Sequence, residues 1–138
     1  MDAIASEDST EVSRTERRSP VAYVLRWVVG IVFVGQSLYA AYGLSASWEQ
    51  VKYISVGEPY FPYALIIAAF SKLLTGILLL TRTRYVFAPF VLWCAAFAYM
   101  FLVHVKWSQI PAQVFFTWME QLALLVFLVW LASRREIQ

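Results

Sequence analysis

Apolar residues run almost unbroken through four stretches of the chain, and polar residues gather between them. The stretches cover about residues 21–44, 60–80, 85–105 and 110–131. Each approaches or exceeds the ~20 residues that an α-helix needs to cross the hydrocarbon layer of a bilayer. The pattern predicts an all-α fold, an integral membrane four-helix bundle occupying residues 20–133. Thr81-Arg82-Thr83-Arg84 makes a tight turn between the second and third spans, and His104-Val105-Lys106-Trp107-Ser108 with Pro111 separates the third from the fourth. Neither connection leaves room for a soluble domain. The longest connection, Ser45 to Pro59, holds Ser47-x-x-Gln50 in the form of a capping box, then Trp48, Val51 and Ile54 at helical spacing opposite Glu49 and Lys52. A short amphipathic helix lying on the membrane surface is expected there, ending near Gly57 and Pro59. Residues 1–19 are polar, mixed in charge and aperiodic, and read as a disordered cytoplasmic tail; residues 134–138 form a short cytoplasmic end.

Composition strengthens the membrane assignment. The chain of 138 residues is 61% hydrophobic and 14% charged, against about 45–50% and about 25% in soluble domains. Five of its 9 acidic and three of its 11 basic residues fall within the first 20 positions. The rest of the chain has too few charges to cover a soluble surface. Arg17-Arg18 ahead of an apolar run resembles a twin-arginine signal, and Ala41-Tyr42-Gly43 offers small residues for cleavage. The run from Val21 to Leu44 is, however, much longer than the roughly 7–15 residues of a signal core, so a retained first helix is expected. Orientation follows from the basic residues. With both termini cytoplasmic, Arg14, Arg17, Arg18, Arg26, Arg82, Arg84, Arg134 and Arg135 fall inside and only Lys52 and Lys106 outside, a strong positive-inside bias. Arg26, one turn into the first span, is expected to snorkel toward the headgroups. The expected location is the plasma or inner membrane of the cell, in multi-pass form, with the lipid bilayer as the principal partner.

Several chemistries are excluded. Cys94 is the single cysteine and His104 the single histidine, so an internal disulfide, a Cys-x-x-Cys redox pair, a cysteine-rich metal site and a bis-histidine haem within one subunit all fall away. No phosphate-binding loop, G-x-S-x-G or H-E-x-x-H occurs, and no soluble basic face supports nucleic-acid binding. No metal site is expected, and no residue presents itself as catalytic.

Two ionisable residues lie deep within spans. Lys72 stands eight residues before Leu80 and Glu120 eleven before Leu131, which places them about 12 Å and about 16 Å from the same membrane edge at ~1.5 Å per residue. An unpaired charge there costs roughly 2.5–3.5 kcal/mol on insertion scales. Lys72 and Glu120 are therefore expected to point into the bundle and pair. On the fourth span Gln113, Thr117, Glu120, Gln121 and Leu124 form a mostly polar stripe; on the second, Ala68, Lys72, Thr75 and Gly76 share a side; on the first, Gln36, Tyr39, Ala40 and Gly43 line up. The third contributes less, with Trp93, Phe97, Met100 and His104 on one side. The polar faces of spans one, two and four are expected to converge on a site opening outward. Such a pair can fix helix register alone, or can form a functional site with acid–base or proton-relay chemistry. His104, near the outer interface, has the chemistry to donate to a quinone carbonyl or to hold one metal ion, but an interfacial histidine satisfied by water is the favoured expectation.

The second-span segment Ala68-Ala69-Phe70-Ser71-Lys72-Leu73-Leu74-Thr75-Gly76-Ile77-Leu78-Leu79-Leu80 runs into a Thr/Arg turn, and the preceding outer loop ends Gly57-Glu58-Pro59. On these features, with its size and four spans, the chain resembles the DoxX and DoxX-like group of small four-helix membrane proteins over roughly residues 21–133. In that group the segment carries a glutamate four residues before the glycine; here Lys72 holds the matching position, with the opposite charge. The first helix there often has a lysine in its outer half, and Phe33 to Tyr39 contains none. Glu120 is expected to restore the pair from another helix. The resemblance implies a redox-associated, quinone-linked membrane subunit, since family members include a subunit of a thiosulfate:quinone oxidoreductase and partners in oxidative-stress complexes. It implies a bound quinone with no covalent cofactor and a membrane redox partner subunit; a homo-oligomer is a separate expectation. The polar site would comprise Lys72, Glu120, Gln121, Gln36, Thr117, Thr75 and Tyr39, with His104 and Gln113 as further contacts to a quinone. A structural subunit of a larger membrane complex and a small proton-coupled transporter are the alternative expectations.

Overall fold

The structure is a computed structural model that describes residues 20–104, 112–134 and 137. The expected tail over 1–19, the connection holding Lys106 and Trp107, and the side chains of Ile54 and His104 lie outside the described residues. The described chain is helical throughout, apart from turns: α1 Pro20–Ala46, α2 Trp48–Ser55, α3 Phe61–Leu80, a single 3₁₀ turn Arg84–Val86, α4 Phe87–His104 and α5 Ala112–Ser133. Four segments are long and apolar enough to cross a membrane: Pro20–Ala46, Phe61–Leu80, Arg84–Leu102 and Ala112–Ser133. Their outward faces carry large apolar side chains such as Val28, Phe70, Val91, Phe116 and Val126. That surface suits lipid, where each helix satisfies its own backbone hydrogen bonds.

α3 is the central helix. α1 and α4 pack on its two sides, and α5 joins alongside α4. In lipid, helices associate by close van der Waals packing, which small residues permit. The buried stripe of α1 is Ala22, Arg26, Gly30, Phe33 and Ser37, and that of α3 is Ala64, Ala68, Ser71, Thr75, Gly76 and Leu79. The two helices approach closely at Gly76. A Cβ there would meet the backbone nitrogen of Val34 at 3.1 Å and the Cβ of Phe33 at 3.1 Å. α5 buries only Leu124, Leu128 and Leu131 fully, spaced at four and three.

The turn residues act locally. Pro62 sits in the first turn of α3, where its missing N–H costs no helical bond. At the other end Arg82 adopts a left-handed conformation, φ 69°, and the N–H of Thr83 reaches back to the Leu78 carbonyl at 3.3 Å. This closes the last turn in the manner usually given to glycine. The capping box expected at Ser47 is replaced by a different junction. The Ser47 N–H donates to the Gly43 carbonyl at 3.0 Å and its own carbonyl accepts from Val51 at 3.1 Å. The helical ladder thus passes through Ser47, and α2 follows α1 with one turn residue between them. In α2, Val51 is buried while Glu49 and Lys52 form an exposed ion pair at 2.7 Å.

Arg26 differs from the expectation of snorkelling. It is 4% exposed, with its guanidinium 5.5 Å from the centre of the Tyr23 ring. The reason is helical phase: position 26 falls on the stripe of Ala22 and Gly30 that faces α3. Ile137 is also buried in the core that includes Ala22, Val86 and Leu131.

Candidate functional site

Lys72 in α3 and Glu120 in α5 meet across the bundle. The Lys72 Nζ donates to Oε1 of Glu120 at 2.9 Å and to Oε2 at 3.0 Å. Their side chains are 16% and 27% exposed. The two other long helices supply aromatic faces. Nζ lies 5.0 Å from the centre of the Phe33 ring of α1 and 5.0 Å from that of Trp93 of α4. Each such cation–ring contact contributes about 0.5–2 kcal/mol, more where water is excluded. The rings are themselves held: Phe33 and Trp93 meet edge to face at 5.8 Å, and Phe90 abuts Trp93 at 6.1 Å. The three other long helices therefore each contribute one side chain to the surroundings of the α3 ammonium group.

Above the pair, toward α2, lies a cavity of about 250 Å³. Lys72, Glu120 and Thr117 give it a polar side, while Trp93, Phe97 and Met100 form an aromatic and thioether wall. Ala40, Leu44, Leu65, Ala68 and Ala69 complete it. On the opposite side of the pair, an apolar groove of about 290 Å³ runs between Leu25, Val29 and Phe33 of α1 and Ala123, Leu124 and Phe127 of α5, and Glu120 borders it as well.

The other sequence-derived candidates divide. Thr117 lines the cavity, with its hydroxyl donating to the Gln113 carbonyl at 3.0 Å. Thr75 is fully buried, but its hydroxyl donates to the Ser71 carbonyl at 2.8 Å and does not line the cavity. Gln121 has a buried amide nitrogen with no hydrogen-bond partner among the described residues, and it too stands outside the cavity wall. Gln36 and Tyr39, expected in the buried site, are not part of it, and Gln113, expected as a ligand contact, does not line the cavity. All three face outward, Tyr39 at 79% exposure. On α1 the close contact through Gly30 and Gly76 sets the rotation of the helix, so Phe33 and Ser37 face inward and Gln36, ~100° round the helix, turns away. α4 contributes more than its lack of polar residues suggested. Trp93, buried to 3%, was legible only as part of an aromatic stripe.

Among the described residues no three His, Cys, Asp or Glu side chains come together. The polar groups offered to a ligand are therefore an ammonium, a carboxylate and a hydroxyl. An ammonium has three N–H donors; two are directed at Glu120, which leaves one to meet an acceptor. Fold and site together define an all-α protein of the multi-pass membrane class, with a polar pair held inside the bundle. Comparison with known proteins finds no matching family model, no matching curated protein and no matching solved structure.

Proposed function

We propose that this chain is a quinone-linked, redox-associated membrane subunit of the DoxX-like kind, with Lys72–Glu120 as the polar end of its ligand site. The observation that carries the reading is the cavity of about 250 Å³ that ends on the pair. Pockets for drug-sized molecules run from about 300 to 1,000 Å³, so this one suits a headgroup whose remainder lies elsewhere. Lys72 donates its remaining N–H to a ring oxygen, Glu120 fixes the ammonium, and Trp93 with Phe97 walls the ring plane. A quinone, when bound, supplies reversible two-electron, two-proton carrier chemistry; the chain holds and orients it. Both chain ends face the cytoplasm in this reading. Arg26, Arg82, Arg84 and Arg134 belong to that side, and α2 with Lys52 lies on the outer surface of the plasma or inner membrane. A redox partner subunit, or a second copy, would sit against the exposed apolar face of α5 that carries Phe116, Leu122 and Val126.

Native mass spectrometry of the protein released gently from its own membrane tests this. A retained quinone mass or a stoichiometric redox partner is expected, and the quinone is lost in the double variant Lys72→Met/Glu120→Leu. A bare chain or homo-oligomer with nothing bound overturns the reading. One observation favours a second reading, proton-coupled transport: Glu120 borders open space on both sides of the pair. That reading requires pH-driven flux in liposomes, which the first does not.

A further inference from the structure

A second cavity adjoins the one above Lys72. It measures about 470 Å³ and lies between α1, α2 and α3, with Ser37, Ala41, Ser45, Trp48, Ile66 and Phe70 in its walls. Leu44 and Ala69 belong to both cavities. The chemistry changes across that shared wall. The smaller cavity presents a lysine, a glutamate and a threonine, whereas the larger presents no charged side chain. Its two serines give their hydroxyl protons to their own helix: Ser37 to the Phe33 carbonyl at 2.7 Å and Ser45 to the Tyr42 carbonyl at 2.7 Å. The result is a polar chamber and an apolar chamber, both open toward the surface, that share one leucine and one alanine.

We propose that the two chambers form one bipartite site for a single amphiphile. Its planar, oxygen-bearing head lies over Lys72, and its hydrocarbon tail passes Leu44 and Ala69 into the larger chamber beneath Trp48. This deepens the quinone reading and rests on it. The groove between α1 and α5 is also apolar, but Glu120 and Phe33 border it. A tail starting from the upper cavity would reach it only by passing the Lys72–Glu120 pair, displacing charged hydrogen-bonded groups with methylenes. The route over Leu44 and Ala69 meets no polar side chain. Tail and surrounding lipid are equally apolar, so the gain comes from packing in a preformed cavity and not from leaving water.

The test uses the full chain in lipid nanodiscs and two probes, a tail-less methoxy-substituted benzoquinone and the same ring bearing a ten-carbon chain. Binding is read by quenching of tryptophan fluorescence and expressed per mole fraction in lipid, so that partitioning into the bilayer cancels. The tailed probe is expected to bind about tenfold tighter, equivalent to ~1.4 kcal/mol. Ala41→Phe, which fills the larger chamber, removes that gain and leaves the affinity of the tail-less ring unchanged. Ile66→Trp blocks the same space from α3 and gives the same result should Ala41→Phe not fold. Ala123→Phe, in the groove between α1 and α5, leaves the gain intact. Equal affinity for both probes, or a gain that survives both blocking variants, overturns the bipartite site while the quinone reading stands. A gain lost only in Ala123→Phe overturns it in favour of the other groove. If neither ring binds, the quinone reading itself fails, and this inference with it.

Discussion

Glu120 offers two oxygens to an ammonium that also rests against two ring faces, so the two partners are not equivalent. Removing one member of a buried pair leaves the other uncompensated, at a cost of about 3–5 kcal/mol. With both side chains partly exposed, Lys72→Glu and Glu120→Lys should each cost about 3 kcal/mol, the lower end of that range. This is measurable as a lower thermal midpoint and a lower folded yield in detergent. The exchanged double variant should recover much of the loss but not all, because it sets a carboxylate against ring faces that carry negative charge density. By contrast, Lys72→Met/Glu120→Leu should be as stable as the parent, since well-packed apolar replacements of buried pairs are commonly neutral or stabilising. Single variants that melt with the parent would show that the pair does not hold α5 to the bundle.

Among the elements, the contact of α1 with α3 governs the rest. Gly30 and Gly76 look alike in sequence but differ in what surrounds them. A Cβ on Gly76 meets the Val34 backbone nitrogen and the Phe33 Cβ, while one on Gly30 meets Cδ2 and Cγ of the Leu80 side chain at 2.6 and 2.8 Å and the Gly76 carbonyl oxygen only at 3.4 Å. The Leu80 side chain can swing aside; the Val34 backbone cannot. Gly76→Ala should therefore destabilise by about 1–3 kcal/mol, as overpacking does, and should shift Phe33 under Lys72. Gly30→Ala should be close to neutral, because the ~1 kcal/mol gained in helix propensity offsets the Leu80 adjustment. Thermal unfolding of the two variants side by side checks this, and equal losses would contradict it. The same contact explains what was legible in the sequence. Span positions, the Thr81–Arg84 turn and the partnership of Lys72 with Glu120 follow from hydropathy and depth, which are properties of single segments. Helix rotation is a property of two segments together. The polar row of Gln36 and Tyr39 suggested one phase for α1, whereas the small residues Ala22, Gly30 and Ser37 impose another. Phe33 was not singled out and Trp93 stood out only as part of an aromatic stripe, since an aromatic residue beside a lysine in space leaves no spacing signal when it lies on a different helix.

For the whole molecule, α1 is about 40 Å long at ~1.5 Å per residue, against a hydrocarbon layer of about 30 Å, so it tilts or carries its last turns and α2 beyond the lipid. The proposed orientation predicts labelling from opposite sides. In a Cys94→Ala background, Gly57→Cys should react with a membrane-impermeant maleimide on intact cells, and Thr81→Cys only after permeabilisation; the reverse pattern would invert the topology. The placement of the pair also has a consequence for how the protein is made. Glu120 follows Lys72 by 48 residues, so α3 leaves the ribosome ahead of α5 and Lys72 moves toward the bilayer before its carboxylate has emerged. During that interval the ring faces of Phe33, already emerged, and of Trp93, next to emerge, are the available compensation for a buried cation. α5 then arrives as a clasp. Its glutamate turns a costly intermediate into a closed bundle, and α5 completes the insertion of α3.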